Sequence, residues 1–158
     1  MGKIAAWLYD LEMRLAAKQL NPRRQALLGA VSGRILEIGV GTGQNLGFYH
    51  GGASVVAIDP DSGMMARALP RARATSIPVR LLAARGEALP FRDGVFDSVV
   101  VTLALCSVDS QDQVLGEMRR VIEPGGKLYF MEHVRSEATG WGRFQDVVTP
   151  VWKTVATG

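Results

Sequence analysis

The chain holds a single cysteine, Cys106, among 158 residues. Disulfides within the chain are therefore excluded, and with them a multi-cysteine metal centre, so no metal is expected. No segment reaches the ~20 consecutive apolar residues that a membrane-crossing helix needs. The opening MGKIAAWLYD lacks the long apolar region of a signal peptide, and its Met-Gly start fails the myristoylation pattern at Ala6. Together these absences predict a cytoplasmic protein without stable membrane insertion. Aromatic residues are scarce, at 7% of the chain, and do not interleave with the basic ones. The net charge of +3 comes from scattered residues, with Arg outnumbering Lys 14 to 4, so no nucleic-acid partner is expected. Repeats and low-complexity linkers are lacking as well.

What is present is enough for a core. At 47% hydrophobic residues, one domain over 1–158 can fold without staples. The chain is organised around Arg34 to Asp59. An apolar run, Ile35-Leu36-Glu37-Ile38, is long enough for a buried parallel strand. Gly39, Gly41 and Gly43 follow at alternate positions, and a second apolar run, Val55-Val56-Ala57-Ile58, stops at Asp59. A strand, a glycine turn, a helix and a second strand ending in an acid build a backbone-lined pocket at the carboxyl end of the first strand. Glycine is needed there because a side chain would hold a ligand off the backbone. Asp59 can then accept hydrogen bonds from the two hydroxyls of a ribose.

Ahead of this stretch, residues 1–33 predict two helices. The first, over 4–20, carries Ile4, Trp7, Leu8, Leu11 and Leu15 at helical spacing. The second starts with Asn21 as cap and Pro22 as first helical residue, and ends near Gly33. After Asp59, Asp61 or Ser62 caps a helix through Met64, Met65, Ala68 and Leu69. Strands are predicted over 77–84, 96–105 and 128–133, with a turn-rich loop over 87–93. A helix over 111–122 has Val114, Leu115, Met118 and Val121 on its apolar stripe, and Pro124-Gly125-Gly126 supply its stop. Residues 135–158 form a C-terminal region read as a helix over 140–155, kinked at Pro150. Strands alternating with helices define an α/β, doubly wound, Rossmann-like, mostly parallel sheet with helices on both faces, its core over 34–134. In such sheets ligands sit beyond the carboxyl ends of the strands, here Gly39 to Gly43, Asp59, Arg85 to Glu87, Cys106 to Asp109, and His133.

The dinucleotide fingerprint would need glycine at position 44, where Gln44 stands. The residues from Glu37 to Gly43 instead read E-x-G-x-G-x-G. This resembles motif I of the class I S-adenosylmethionine-dependent methyltransferases. Further matches follow: Asp59 ends the second strand, Gly86-Glu87-Ala88-Leu89-Pro90-Phe91 precedes Val95-Phe96-Asp97, and Arg119 to Gly126 resembles the segment leading into strand five. The resemblance covers Gly33 to Val134. Thr42-Gly43-Gln44-Asn45, Thr102 to Val108, and Phe130-Met131-Glu132-His133-Val134 look like the methyltransferase-like branch that includes small-molecule thiol methyltransferases and their bacterial relatives. Ubiquinone- and menaquinone-type C-methyltransferases share the LPF and PGG segments.

The resemblance implies S-adenosyl-L-methionine as cofactor and S-adenosyl-L-homocysteine as product. It puts Gly39, Gly41 and Gly43 at the methionine part, Asp59 at the ribose, Gly86 and Glu87 at the adenine edge, and Leu103 over the other side. Glu37 and Asn45 complete the cofactor-binding set. Many family members have Asp where this chain has Arg85, so the adenine amino group must find another acceptor, for which Glu87 is the candidate. The family sheet has seven strands, the last two forming a hairpin beside strand five. Here the residues after Val134 read as helix, so that hairpin is expected to be lacking. The exposed edge over 127–134 would then be covered by a homo-oligomer or a partner.

The cofactor's sulfonium is already a reactive methyl donor, so the protein has to align an acceptor and exclude water. A thiol or carbon acid must lose a proton. His133, at the end of strand five, suits the base by type and position, with structural hydrogen bonding as the other role open to it. Asp109 either orients the acceptor or caps the helix that starts near Gln111. Cys106 reads as a nucleophile or as inert packing, and Trp7 and Tyr9 as a lid over the acceptor or as core. The expected function is methyl transfer to a small, apolar acceptor, a thiol first and a quinol-type carbon second. A non-catalytic binding module is the alternative. A nicotinamide-dependent oxidoreductase is less favoured, because Gln44 and the PGG segment argue against it.

Overall fold

The apolar runs of the sequence become strands. The computed structural model describes residues 3–132, with side chains from residue 16 onward. In chain order its elements are α1 (Lys3–Leu28), β1 (Gly33–Ile38), β2 (Ala53–Ile58), α2 (Ser62–Ala74), β3 (Val79–Leu82), β4 (Phe96–Thr102), α3 (Gln111–Val121) and β5 (Ile122–Met131). Single 3-10 turns lie at Leu46–Phe48 and Leu105–Ser107. The strands form one sheet in the order β3-β2-β1-β4-β5, and every neighbouring pair is parallel. Each strand thus returns through a crossover, and the order reverses direction between β1 and β4, which opens a crevice at their carboxyl ends.

Alternation along the strands splits the core in two. Ile35, Val55, Ala57 and Val100 pack with Leu28 of α1 and, at the rim, with Met65 and Ala72 of α2. Their neighbours Leu36, Ile38, Ile58, Val99 and Val101 pack with Val114, Met118 and Val121 of α3. Both faces are covered, which is why the strands read as unbroken apolar runs. β5 is the outer strand of the described sheet, and its Leu128 and Phe130 are exposed.

Several boundaries differ from the sequence reading. The two expected N-terminal helices are one: α1 runs through Pro22. Leu20, Arg24 and Leu28 are all buried, and only an unbroken helix keeps these i, i+4, i+8 positions on one face. Asn21 accordingly caps nothing; its Oδ1 accepts from Arg24 Nη1 at 3.2 Å. The helix expected after the glycine turn shrinks to the 3-10 turn, because Asn45 and Tyr49 turn inward to bond Glu37. Of the two cap candidates before α2, Asp61 is the one, accepting from Met64 N at 2.8 Å. On α3, Leu115 is exposed rather than part of the stripe. Pro124-Gly125-Gly126 does not stop α3. Ile122 has already turned extended, and the three residues form an irregularity inside β5, where the register passes from Phe96↔Ile122 to Ser98↔Lys127. Proline is tolerated at such a bulge. A Cβ on Gly126 would lie 2.9 Å from the Asp97 carbonyl. The helix read over 140–155, the hairpin question beyond it, and the side chains of Trp7 and Tyr9 lie outside the described residues.

Candidate functional site

The glycine loop leaves β1 in a chain of backbone bonds. Gly39 N and Val40 N both donate to Ile58 O, at 2.9 and 3.0 Å, and Gly43 N closes the turn on Val40 O at 2.9 Å. Gly39, Gly41 and Gly43 all have positive φ, a region where a side chain is strained. At Gly39 a Cβ would also lie 2.4 Å from the Ala104 Cβ. The loop therefore touches the segment that follows β4 with backbone alone.

Asp59 ends β2 beneath this loop and is buried. Gly41 N and Asp61 N each donate to one of its carboxylate oxygens, both at 2.9 Å. Burial raises its pKa above the ordinary carboxylate value, opposed by those backbone donors. A carboxylate has about four acceptor positions, so two oxygens already aligned by the backbone can still receive two further donors.

Below the loop lies a buried polar network that joins α1, β1 and β4. Glu37 accepts from Asn45 Nδ2 at 2.9 Å and from the Tyr49 hydroxyl at 3.0 Å. Asn45 Nδ2 also reaches Thr102 Oγ1 at 2.7 Å, and Asn45 Oδ1 accepts from Arg24 Nε at 3.0 Å. Burial pushes Glu37 up to about 7, against the pull of Asn45, Tyr49 and the Arg24 charge. Glu37 thus supports Asn45 from beneath the loop. Arg24, Tyr49 and Thr102 were missed by the sequence reading. The only signal for Arg24 was its place four residues from both Leu20 and Leu28.

Across the crevice, Leu103 has φ +54°, left-handed for a bulky residue. Its N–H donates to Met131 O at 2.8 Å. The next two N–H groups, Ala104 and Leu105, both donate to Glu132 Oε1, at 2.9 and 3.1 Å. The end of β5 therefore holds the post-β4 segment against Gly39. His133, the residue after Glu132, lies outside the described residues. Cys106 is exposed, which removes the packing reading.

At the far end, Gly86 is buried, and a Cβ there would press on Ile38 and Val114 at 3.2 Å. Glu87 Oε1 accepts from Asp109 N at 2.9 Å, and its Oε2 faces Arg85 Nε at 3.5 Å. The Arg85 guanidinium pairs in turn with the exposed Asp109 carboxylate. The helix-capping role open to Asp109 belongs to Ser110, whose Oγ accepts from Gln113 N at 3.3 Å. The glycine loop, Asp59, Glu87 and Leu103 all follow the carboxyl ends of strands, the side of the sheet on which the crevice opens. A small cavity of about 10 Å³ opens beside Gly39, Asn45 and Arg24. A wider depression of about 480 Å³ lies on the loop's other flank, between Gly43–Gly47 and Arg71, Thr75 and Ser76.

A parallel sheet in this order, with a glycine turn and a terminal acid at its switch point, defines the Rossmann-like class of nucleotide-binding folds. Residues 36–130 match the methyltransferase domain family. The chain belongs to that family, the class I S-adenosylmethionine-dependent methyltransferases. It is 37% identical over 158 residues to the human thiol S-methyltransferase TMT1A, across 96% of this chain and 64% of that protein. It is 38% identical over 132 residues to the demethylmenaquinone methyltransferase of Thermus thermophilus, across 78% of this chain and 60% of that one. The YcgJ protein of Bacillus subtilis shares the fold with a TM-score of 0.72 at 20% identity, over 87% of this chain and 60% of that one. The chain thus spans less than two thirds of these proteins. Among the described residues no helix is long and apolar enough to cross a membrane.

Proposed function

We propose that this chain is the cofactor-binding part of an S-adenosylmethionine-dependent methyltransferase acting on a small apolar acceptor, a thiol first. Asp59 carries the reading. Its carboxylate is fixed by Gly41 and Asp61 N–H groups directly beside a turn of positive-φ glycines, an arrangement suited to a ribose next to a backbone-bound chain. The residues fit the cofactor because the positive-φ glycines keep side chains off the loop's backbone, and the two Asp59 oxygens, each taking one backbone donor, retain acceptor positions for two hydroxyls. In this reading Gly39, Gly41, Gly43 and Asn45 hold the methionine part, with Glu37 steadying Asn45. Gly86 and Glu87 face the adenine edge, and Leu103 covers it from the β4 side.

Bound S-adenosylmethionine would supply an activated methyl group. The chain's own residues then have three tasks: orient the acceptor, keep water out, and take a proton from it. We assign the proton to His133 on its position after β5, and the orienting role to Asp109, steadied by Arg85. The thiol preference is supported by the activity named for the human relative. A quinol-type carbon acceptor is the second reading, favoured by the Thermus relative.

The test is calorimetric titration with S-adenosylhomocysteine. Micromolar binding is expected for the parent chain. Asp59→Ala, which deletes an acceptor for two hydroxyls, should weaken it about 100-fold. A folded chain that binds none would overturn the reading. Methyl transfer to a thiol panel but not to quinols would then separate the two acceptor classes.

A further inference from the structure

Between Asp61 and Glu87 the sequence has no acidic residue and five arginines, Arg67, Arg71, Arg73, Arg80 and Arg85. The fold divides them. Arg85 pairs with Glu87 and Asp109. Arg71 donates to Thr42 O, which puts it on the side of α2 that faces the glycine loop and β1. Arg73 lies about 200° further round that helix, on the flank over β3, and Leu69, one turn earlier, shares its side. Both are exposed, as is Arg80 within β3. Neither Arg73 nor Arg80 has an ion pair among the described residues.

β3 is the outer strand on this side of the described sheet. Val55 N bonds Pro78 O and Asp59 N bonds Leu82 O, so Pro78, Arg80 and Leu82 direct their backbone groups at β2. The N–H and C=O groups of Val79 and Leu81 therefore point outward, where no strand among the described residues meets them. One charge is enough to keep such an edge from pairing with its like. Here a single sign of charge stands on both faces of it: Arg73 on the α2 face, toward which Val79 and Leu81 pack, and Arg80 on the other by alternation. A second copy would set these arginines against each other. Nucleic acid would find no aromatic residue between positions 50 and 90 on which to stack. An anionic lipid would engage the arginines and leave the backbone groups unused. A strand bearing carboxylates engages both.

We propose that the β3 edge and the outer flank of α2 form a docking surface for an extended, acidic polypeptide segment, which adds to the sheet beside β3. Val79 and Leu81 supply the backbone bonds. Arg73 and Arg80 each take a carboxylate from one face of the added strand, and Leu69 receives an apolar side chain on the α2 face. β2 separates this surface from the strand that carries the glycine loop, so the proposal does not rest on the cofactor reading.

The probe is a short peptide that alternates Val with Glu, titrated into the isotope-labelled chain and followed by amide exchange. Slower exchange is expected at the Val79 and Leu81 N–H groups, with those of Arg80 and Leu82, which face β2, unchanged. Arg73→Glu and Arg80→Glu should each weaken the peptide about tenfold. Arg119→Glu, which reverses an exposed arginine on α3, should leave its affinity as it was, and a peptide alternating Val with Lys should not bind. Should a reversal fail to fold, Arg73→Gln or Arg80→Gln replaces it; a smaller loss supports the proposal and an unchanged affinity overturns it. Binding that leaves Val79 and Leu81 unprotected, or that Arg119→Glu weakens as much, would be attraction by net charge alone and would overturn the proposal. Failure to bind at millimolar peptide overturns it as well. Phosphatidylglycerol vesicles that bind through Arg73 and Arg80, while the peptide leaves the edge unprotected, would assign the arginines to a lipid surface instead.

Discussion

Leu103 is the one non-glycine residue with positive φ among the described residues. A left-handed leucine costs about 1–2 kcal/mol, and the price is met by its bond to Met131 O and the two that Glu132 accepts just after it. Strain held in this way at a crevice mouth marks a position kept for its side chain. Leu103→Gly should therefore raise the stability of the ligand-free chain by about 1 kcal/mol while weakening S-adenosylhomocysteine. Urea melts and calorimetry on the same sample check the pair; a variant that loses stability and keeps affinity would contradict it. Gly39→Ala should act in the opposite sense on stability. Its Cβ meets Ala104 at 2.4 Å with φ at +72°, and the variant should lose about 2 kcal/mol or more, together with ligand binding.

Glu37 sets a pH dependence. Its pKa rises from an ordinary 4.5 to about 7 in the fold, so the folded chain holds a proton that the unfolded chain has released. Stability from this group is therefore full below about pH 4.5, declines as pH rises, and levels off above about 7. The span amounts to about 3 kcal/mol at most. Glu37→Gln, which stays neutral and can still accept from Asn45 or Tyr49, should flatten the decline. Urea melts from pH 5 to 8 measure the difference between the two chains, and parallel profiles would refute it.

At the scale of elements, the ends of β4 and β5 behave as one unit. Glu132→Ala removes the acceptor for the Ala104 and Leu105 N–H groups, which should cost about 1–3 kcal/mol. It should also loosen the cover over the crevice, read as faster amide exchange at residues 103–105. Glu132→Gln, which keeps an acceptor oxygen, should restore most of the protection. What the sequence disclosed about these elements follows how local each constraint is. The β1 loop and Asp59 were legible because a backbone turn demands glycine at specific positions and a strand end demands little else. The unbroken α1 was not, since Pro22 signals a start and only tertiary burial of Leu20, Arg24 and Leu28 overrides it. Pro124-Gly125-Gly126 misled for a related reason: the residues that stop a helix are also those that a bulge in an outer strand accepts. Arg24 was invisible because a charged residue beside Arg23 reads as surface until the fold shows what covers it.

At the scale of the whole molecule, the strand order β3-β2-β1-β4-β5 has a consequence in time. The N-terminal part of the chain can pair β2 with both β1 and β3, yet the partner that completes the crevice is β4, joined to β1 through pairs such as Ile35 with Ser98. Until that late, non-local pairing forms, the glycine loop faces no Ala104 and no Leu103, and a ligand has nothing finished to hold. On the proposed function, the cofactor would arrive after this pairing and could not hasten it. It can only delay departure. In stopped-flow chevrons at a hundredfold excess of S-adenosylhomocysteine over its Kd, the refolding arm should stay where it was and the unfolding arm should fall about 100-fold. A loaded chain would then be long-lived rather than quickly made, its lifetime tracking the supply of its ligand.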